Sequence, residues 1–203
     1  MQNSPKISVI IPTLNEEKLI VKTLEQFYPH IKQKYNIEII VSDGGSTDKT
    51  LALLTGVVDK VVNAEPGVKQ NIPQGRNAGA KAASGDFLYF VNADTMFEST
   101  QSFFDNTLAA FTDNKNLAIT CKFHVFPEDI RISDKMFHGF YNNYVRALNK
   151  IGMGMGRGEC QIIRNDIFKK VNGYNELLAA GEDYDLYRRI KKLGIGRIKF
   201  LSN

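Results

Sequence analysis

Asp94 follows directly on an apolar run, Phe87-Leu88-Tyr89-Phe90-Val91, through Asn92 and Ala93. An acid fixed at the carboxyl end of a buried strand is how α/β proteins present a metal or phosphate ligand in a crevice. Asp43 repeats the arrangement: it ends the run Ile37–Val41 and opens the turn Gly44-Gly45-Ser46-Thr47-Asp48, where glycines let backbone approach a ligand closely. Pro12-Thr13-Leu14-Asn15-Glu16 follows a third apolar run, Ile7–Ile11. Arg76, beside Gly75, places a guanidinium near the start of a small-residue helix, where it suits a base or a diphosphate. Glu182-Asp183 opens a further helical pattern; as bare residues they read equally as first-turn acids favoured by the helix dipole.

The elements that must position these residues alternate. Strands are expected at Ile7–Ile11, Ile37–Val41, Lys60–Asn63 and Phe87–Val91. Ile20, Leu24 and Phe27 fall on one helical face. Ser46 or Thr47 is placed to cap a helix carrying Leu51 and Leu54, with Asp48 a structural first-turn acid. Residues Ile72–Ala83 make the small-residue helix, whose Ala78, Gly79, Ala82 and Ala83 suit close packing on a sheet. This order predicts a largely parallel sheet covered on both faces. Its strand-to-helix loops gather at the carboxyl edge, so Pro12–Glu16, Asp43–Asp48 and Asn92–Asp94 should converge in space.

Beyond residue 98 the pattern is less regular. Helices are expected at Thr100–Phe111, Ser133–Asn149, Asp166–Val171 and Glu182–Leu193. Strands are expected at Leu117–Val125, Cys160–Ile163 and Ile198–Leu201, with a turn at Asn172-Gly173-Tyr174. Gly152–Gly158, with Arg157, reads either as a loop able to close over ligands or as ordinary packing. No linker divides the chain, so residues 1–203 are expected to form one domain.

Composition bounds the class. The chain has 203 residues, 43% hydrophobic and 24% charged, as in a soluble globular protein. Its apolar runs are far shorter than the roughly 20 residues needed to span a bilayer, and the polar start Met1-Gln2-Asn3-Ser4-Pro5 lacks an apolar signal core. These features predict a cytoplasmic protein, or one at the cytoplasmic face of a membrane. Cys121 and Cys160 show no CxxC spacing and read as buried thiols. From Ile130 onward 14 Lys/Arg face 7 Asp/Glu, against 12 and 15 before it. That basic C-terminal third suits an anionic acceptor or a membrane surface. No nucleic-acid motif accompanies the charge, so nucleic acid is not expected as a partner.

Ile7–Glu16 (ISVIIPTLNE), Ile39–Asp48 (IIVSDGGSTD), Gly75–Asp94, and Gly173-Tyr174 followed by Gly181-Glu182-Asp183 occur in the order found in family 2 glycosyltransferases. The chain resembles that family over nearly its whole length, most densely in its first half. The resemblance implies an α/β GT-A fold, with a nucleotide-binding half at about 1–98 and an acceptor half at about 99–203. It implies an inverting transfer from a UDP- or GDP-sugar to a glycan, lipid or polyprenyl-phosphate acceptor. Nucleotide contacts would come from Pro12, Thr13, Leu14, Glu16, Asp43, Gly44, Gly75, Arg76, Asn92, Ala93 and Asp94. Asn92-Ala93-Asp94 occupies the DXD position. There Asp94 would ligate Mg²⁺ or Mn²⁺, while Asn92 departs from the usual first aspartate and brings no charge. Glu182-Asp183 matches the ED motif, which makes Asp183 the general base and Glu182 its support.

Two other readings start from the same residues. Family members often continue past the ED helix with acceptor or membrane segments; with Asn92, the short remainder here suits a nucleotide-sugar binding protein that has lost turnover. A sugar-1-phosphate nucleotidyltransferase shares a similar core. It should carry glycine and basic residues in its first strand–helix loop, and Pro12–Glu16 has neither.

Overall fold

The computed structural model describes residues 4–122, 132–150, 153–156 and 158–202. Seven strands form one sheet in the order β3-β2-β1-β4-β6-β5-β7. They are β1 (Ile7–Thr13), β2 (Ile37–Asp43), β3 (Lys60–Asn63), β4 (Phe87–Val91), β5 (Asn116–Cys121), β6 (Cys160–Arg164) and β7 (Arg197–Leu201). The helices are α1 (Ile20–Glu25), α2 (Pro29–Lys34), α3 (Thr50–Leu53), α4 (Ile72–Ala82), α5 (Thr100–Phe111), α6 (Ile132–Lys150), α7 (Asn165–Lys170) and α8 (Glu182–Lys192).

The apolar runs became strands because both faces of the sheet are covered. Ile7, Val9 and Ile11 join one cluster with Ile20 and Leu24 of α1, Phe27 in the turn after it, Ile31 of α2 and Phe104 and Phe111 of α5. Ile10, Leu88 and Phe90 point the other way, to Ala80 of α4, Phe168 of α7 and Leu186, Tyr187 and Ile190 of α8. Gly79 sets how closely α4 sits on the sheet. A Cβ there would overlap Ile10 Cγ2 and lie 3.5 Å from Ser42 Cβ.

β1, β2, β3 and β4 are mutually parallel, with Thr13 level with Asp43 and Ile10 level with Phe90. β6 alone among the described strands runs against its neighbours, pairing antiparallel with both β4 and β5. Val91 lies opposite Cys160, so the turn at Gly158–Glu159 enters the sheet at the edge where β4 ends. Asn92 N–H donates to Glu159 O at 3.1 Å across that junction.

Opposite that edge, a buried acid fastens the strand starts to α4. Glu38, 6% exposed, accepts from Ser8 Oγ at 2.6 Å, Ser84 N–H at 2.6 Å and Ser84 Oγ at 2.8 Å. Lys6 and Lys60 pair with its other oxygen at 3.2 and 3.3 Å.

Several boundaries differ from the sequence reading. The helix after Asp48 shrinks to Thr50–Leu53 and has no side-chain cap, because Ser46 is used by Asp43 instead. α2, which was not expected, starts with Pro29 at its first turn and buries only Ile31. β5 ends at Cys121, and the expected residues 123–125 of that strand lie outside the described residues. Cys121 and Cys160 are free, buried thiols, and burial pushes the Cys121 thiol up to about 12.

Candidate active site

The first two strand-to-helix loops are laced into one unit. Ser46 Oγ accepts from Asn15 N–H at 2.8 Å, and Asn15 Oδ1 accepts from Thr47 N–H at 2.8 Å. Thr50 Oγ1 accepts from Glu16 N–H at 2.8 Å, and Glu17 accepts from Lys49 N–H at 3.0 Å. Asn15 takes a positive φ of 59° to make this turn, a conformation asparagine tolerates better than most residues. Pro12 is partly buried, Thr13 is buried and Leu14 is exposed beside them.

Asp43 is 1% exposed, yet its carboxylate is fully used. One oxygen accepts from Thr13 Oγ1 at 3.1 Å and Ser46 Oγ at 2.5 Å. The other accepts from the N–H groups of Gly45 at 3.0 Å and Ser46 at 2.8 Å. A carboxylate offers about four lone-pair sites, so a ligand donor reaching Asp43 must displace a hydroxyl. Gly44 N–H donates to Thr13 O at 2.8 Å. Gly45 has φ of +101°, and a Cβ there would lie 2.9 Å from Val68 O, so this turn requires glycine.

α4 starts beside this unit on a capping box: Asn71 accepts from Gln74 N–H, and Gln74 Oε1 accepts from Asn71 N–H, both at 2.9 Å. Gly75 faces Pro12; a Cβ on it would lie 3.6 Å from Pro12 Cβ. Arg76 is 1% exposed and points away from solvent. Its Nη1 donates to Glu182 at 2.9 Å, and its Nη2 donates to Asn92 Oδ1 at 3.0 Å and Gly158 O at 2.6 Å. The guanidinium carbon lies 5.4 Å from the centre of the Tyr174 ring.

At the end of β4, Ala93 is buried and its carbonyl accepts from the Thr23 hydroxyl. Asp94 is exposed, and no hydrogen bond or ion pair holds its carboxylate among the described residues. Glu16 stands close enough to feel it. Burial first, then the charges of Asp94 and Asp48, raise the Glu16 carboxyl above its ordinary value. So the first loop and the third meet at Glu16 and Asp94.

On α8, Gly181 turns the chain with φ of 76°, and Glu182 and Asp183 begin the helix. Glu182 is held by Arg76. Asp183 accepts from Tyr184 N–H at 2.7 Å, and a Cβ on Gly158 would lie 3.7 Å from its second oxygen. Burial raises the Asp183 carboxyl, Glu182 adds to the effect, and Tyr184 N–H and Arg76 oppose it. Asp183 thus takes up a proton more readily than an ordinary aspartate, although it sits at a helix N-terminus.

Among the described residues no three His, Cys, Asp or Glu side chains form a ready metal cage. The donor set still fits a divalent cation that arrives with a diphosphate. Mg²⁺-type sites use one or two carboxylates and fill the remainder with phosphate oxygens and water. Asp94 and Glu16 are the carboxylates that could serve such an ion, while Asn92 Oδ1 is committed to Arg76.

Sequence reasoning missed Gly158 O and Tyr174. A backbone carbonyl leaves no residue-type signal, and Tyr174 reads as a turn-flanking aromatic. Of the glycine-rich segment, residues 153–156 and 158 are described; Gly152 and Arg157 lie outside the described residues. A Cβ on Gly156 would lie 2.5 Å from the Tyr187 ring, so this part packs closely on α8.

Comparison with known proteins bears on the fold and the family. A dolichyl N-acetyl-glucosaminyl phosphate diacetamido-dideoxy-glucuronosyltransferase from Methanococcus voltae is 37% identical over 109 residues, 52% of this chain and 33% of that protein. The mannosyltransferase PcManGT of Pyrobaculum calidifontis, solved with GDP-Man and Mn²⁺, superposes with a TM-score of 0.76 at 21% identity, over 100% of this chain and 56% of that one. The 1–349 fragment of S. aureus TarS, solved with UDP-GlcNAc, gives 0.68 at 22% identity, over 98% and 56%. The fold is therefore GT-A. The chain spans between a third and a half of the first curated relatives, 33% and 48% of their lengths. The sequence model described as "Glycosyl transferase family 2" matches residues 8–171, which include Pro12–Glu16, Asp43–Asp48, Arg76 and Asn92–Asp94 but not the start of α8, and the chain belongs to that family.

Proposed function

We propose that residues 1–203 form one catalytic domain of an inverting glycosyltransferase that uses a UDP- or GDP-sugar. The observation that carries this reading is the shared guanidinium. Arg76 bonds both Asn92, at the end of the donor-side strand, and Glu182, at the start of the acceptor-side helix. That shared partner supports a reading in which Asp94 and Asp183 face one site.

In this reading Pro12, Thr13, Leu14, Asp43, Gly44 and Gly75 receive the nucleotide. Its base enters by displacing the Ser46 or Thr13 hydroxyl from Asp43. Asp94, with Glu16 beside it, would hold Mg²⁺ or Mn²⁺, which when bound would supply positive charge to the leaving diphosphate. Asp183 takes the proton of the acceptor hydroxyl, and the acceptor oxygen attacks the anomeric carbon from the face opposite the diphosphate. The bond from that carbon to the phosphate oxygen breaks, the nucleoside diphosphate leaves with the electron pair, and configuration inverts. The raised carboxyl of Asp183 brings its proton affinity closer to that task. A polyprenyl-phosphate acceptor is already ionised; Asp183 would then position it.

Lipid-linked acceptors are supported by the dolichyl-phosphate name of the Methanococcus relative. No helix among the described residues is long and apolar enough to cross a membrane. We assign contact with the cytoplasmic face of a membrane to the basic C-terminal third, where Phe140 and Tyr144 of α6 are exposed and stack at 6.2 Å.

Nucleotide release from UDP-N-acetylglucosamine or GDP-mannose, with Mn²⁺ and hydroxyl acceptors, tests the reading. The wild type should release UDP or GDP, and Asp183→Asn should be slower by about 100-fold or more. Equal rates would remove Asp183 from the mechanism. The lost-turnover alternative is favoured if nucleotide binds but is never released from a sugar.

A further inference from the structure

Arg76 is among the largest wholly buried side chains of the molecule. A cation removed from water needs a carboxylate and further acceptors to offset its desolvation. Arg76 has one carboxylate, Glu182, and two neutral oxygens, Asn92 Oδ1 and Gly158 O. Its Nε has no hydrogen-bond partner among the described residues. Among the described residues, Asp183, Tyr174 and Cys160 also feel this charge. Burial raises Tyr174 and Cys160 well above their ordinary values, so both stay neutral near pH 7. Among the described residues Glu182 is the one carboxylate hydrogen-bonded to the guanidinium, while Asp183 feels it without a hydrogen bond. An aspartate at position 92 would put a second hydrogen-bonded anion on this cation.

We infer that Arg76 is a positioning residue, and that Asn92 is its charge-matched neutral partner. It ties the end of β4, the turn into β6 and the start of α8 into one corner. Asp94 lies two residues beyond Asn92, and Asp183 follows Glu182. No hydrogen bond joins Arg76 to Asp94 or Asp183, so Arg76 sets their separation from behind. The amide at the first DXD position then follows from the buried charge count.

Exchanging carboxylate and amide tests the charge match without any donor. Thermal unfolding is measured for wild type, Asn92→Asp, Glu182→Gln and the double variant. Glu182→Gln leaves the buried guanidinium without a carboxylate and should lower Tm by roughly 6 °C or more. Asn92→Asp should also lower it. The double variant returns one carboxylate to Arg76 and should recover at least half of the Glu182→Gln loss. Additive losses would overturn the inference.

The positioning role rests on the proposed transferase reading and needs a second readout. For Arg76→Met, calorimetry with UDP and Mn²⁺ should give a Kd within about two-fold of wild type. Nucleotide release from UDP-N-acetylglucosamine should fall by about 100-fold, as a displaced catalytic group would cause, and Arg76→Lys should restore part of it. A Kd raised ten-fold with unchanged turnover would make Arg76 a nucleotide contact and overturn the role. If the wild type binds no nucleotide, the transferase reading fails, while the exchange still decides the charge match. The exchange also decides it if Arg76→Met does not fold.

Discussion

Glu38 anchors the sheet at the edge away from the crevice, and its removal has a calculable effect. Burial alone would raise its carboxyl, but hydrogen bonds from Ser8, Ser84 and Lys6 outweigh burial and bring it from 4.5 to about 2. At 1.36 kcal/mol per pK unit, that difference is worth about 3 kcal/mol. Glu38 is 6% exposed, so solvent screens little of it. For a chain of this size each kcal/mol moves Tm by roughly 2–4 °C. Glu38→Gln should therefore lower Tm by roughly 6–12 °C at pH 7. The folded pKa is depressed, so this stability is complete above the unfolded value near 4.5. It drains away as pH falls toward about 2. Differential scanning calorimetry of both proteins at pH 7, 5, 3.5 and 2 should show the gap closing across the last three. A gap that stays constant with pH, or is absent at pH 7, would refute the assignment of stability to the Glu38 charge.

Three further outcomes are expected. Because burial raises Asp183, transfer to hydroxyl acceptors should fall with decreasing pH at a point above the usual aspartate range; a midpoint at or below that range in a pH–rate profile would contradict its role as base. Asp94→Asn should weaken Mn²⁺-dependent UDP or GDP binding about ten-fold or more by calorimetry, and EDTA should do the same to wild type; equal affinities in all three conditions would remove the cation from Asp94. Gly79→Ala drives a methyl into Ile10 behind α4 and should cost about 1–3 kcal/mol in urea unfolding; no loss would mean that α4 shifts freely on the sheet.

Much of the nucleotide half was legible because buried parallel strands are continuous apolar runs. Ile7–Ile11, Ile37–Val41 and Phe87–Val91 lie inside β1, β2 and β4, and Ile20, Leu24 and Phe27 bury together as their spacing predicts. The convergence of Pro12–Glu16 with Asp43–Asp48 also followed from topology. Strand direction did not: nothing in Cys160–Ile163 distinguishes an antiparallel strand from a parallel one. The helix after Asp48 was overextended because polar residues that look like caps serve the loop instead. Asp43 binds Ser46, and Asp48 binds Thr50. Arg76 shows the limit most clearly. Its residue type suits a phosphate or a base, and only the fold reveals partners at Asn92, Gly158 and Glu182.

The central claim is that the crevice bordered by Glu16, Asp43, Asp94 and Asp183 receives a nucleoside diphosphate sugar. Calorimetric titration of the whole chain with UDP and with GDP, each with and without Mn²⁺, tests it most directly. One of the two should bind at a single site, more tightly with Mn²⁺. No heat of binding from either nucleotide in the presence of Mn²⁺ would contradict the account.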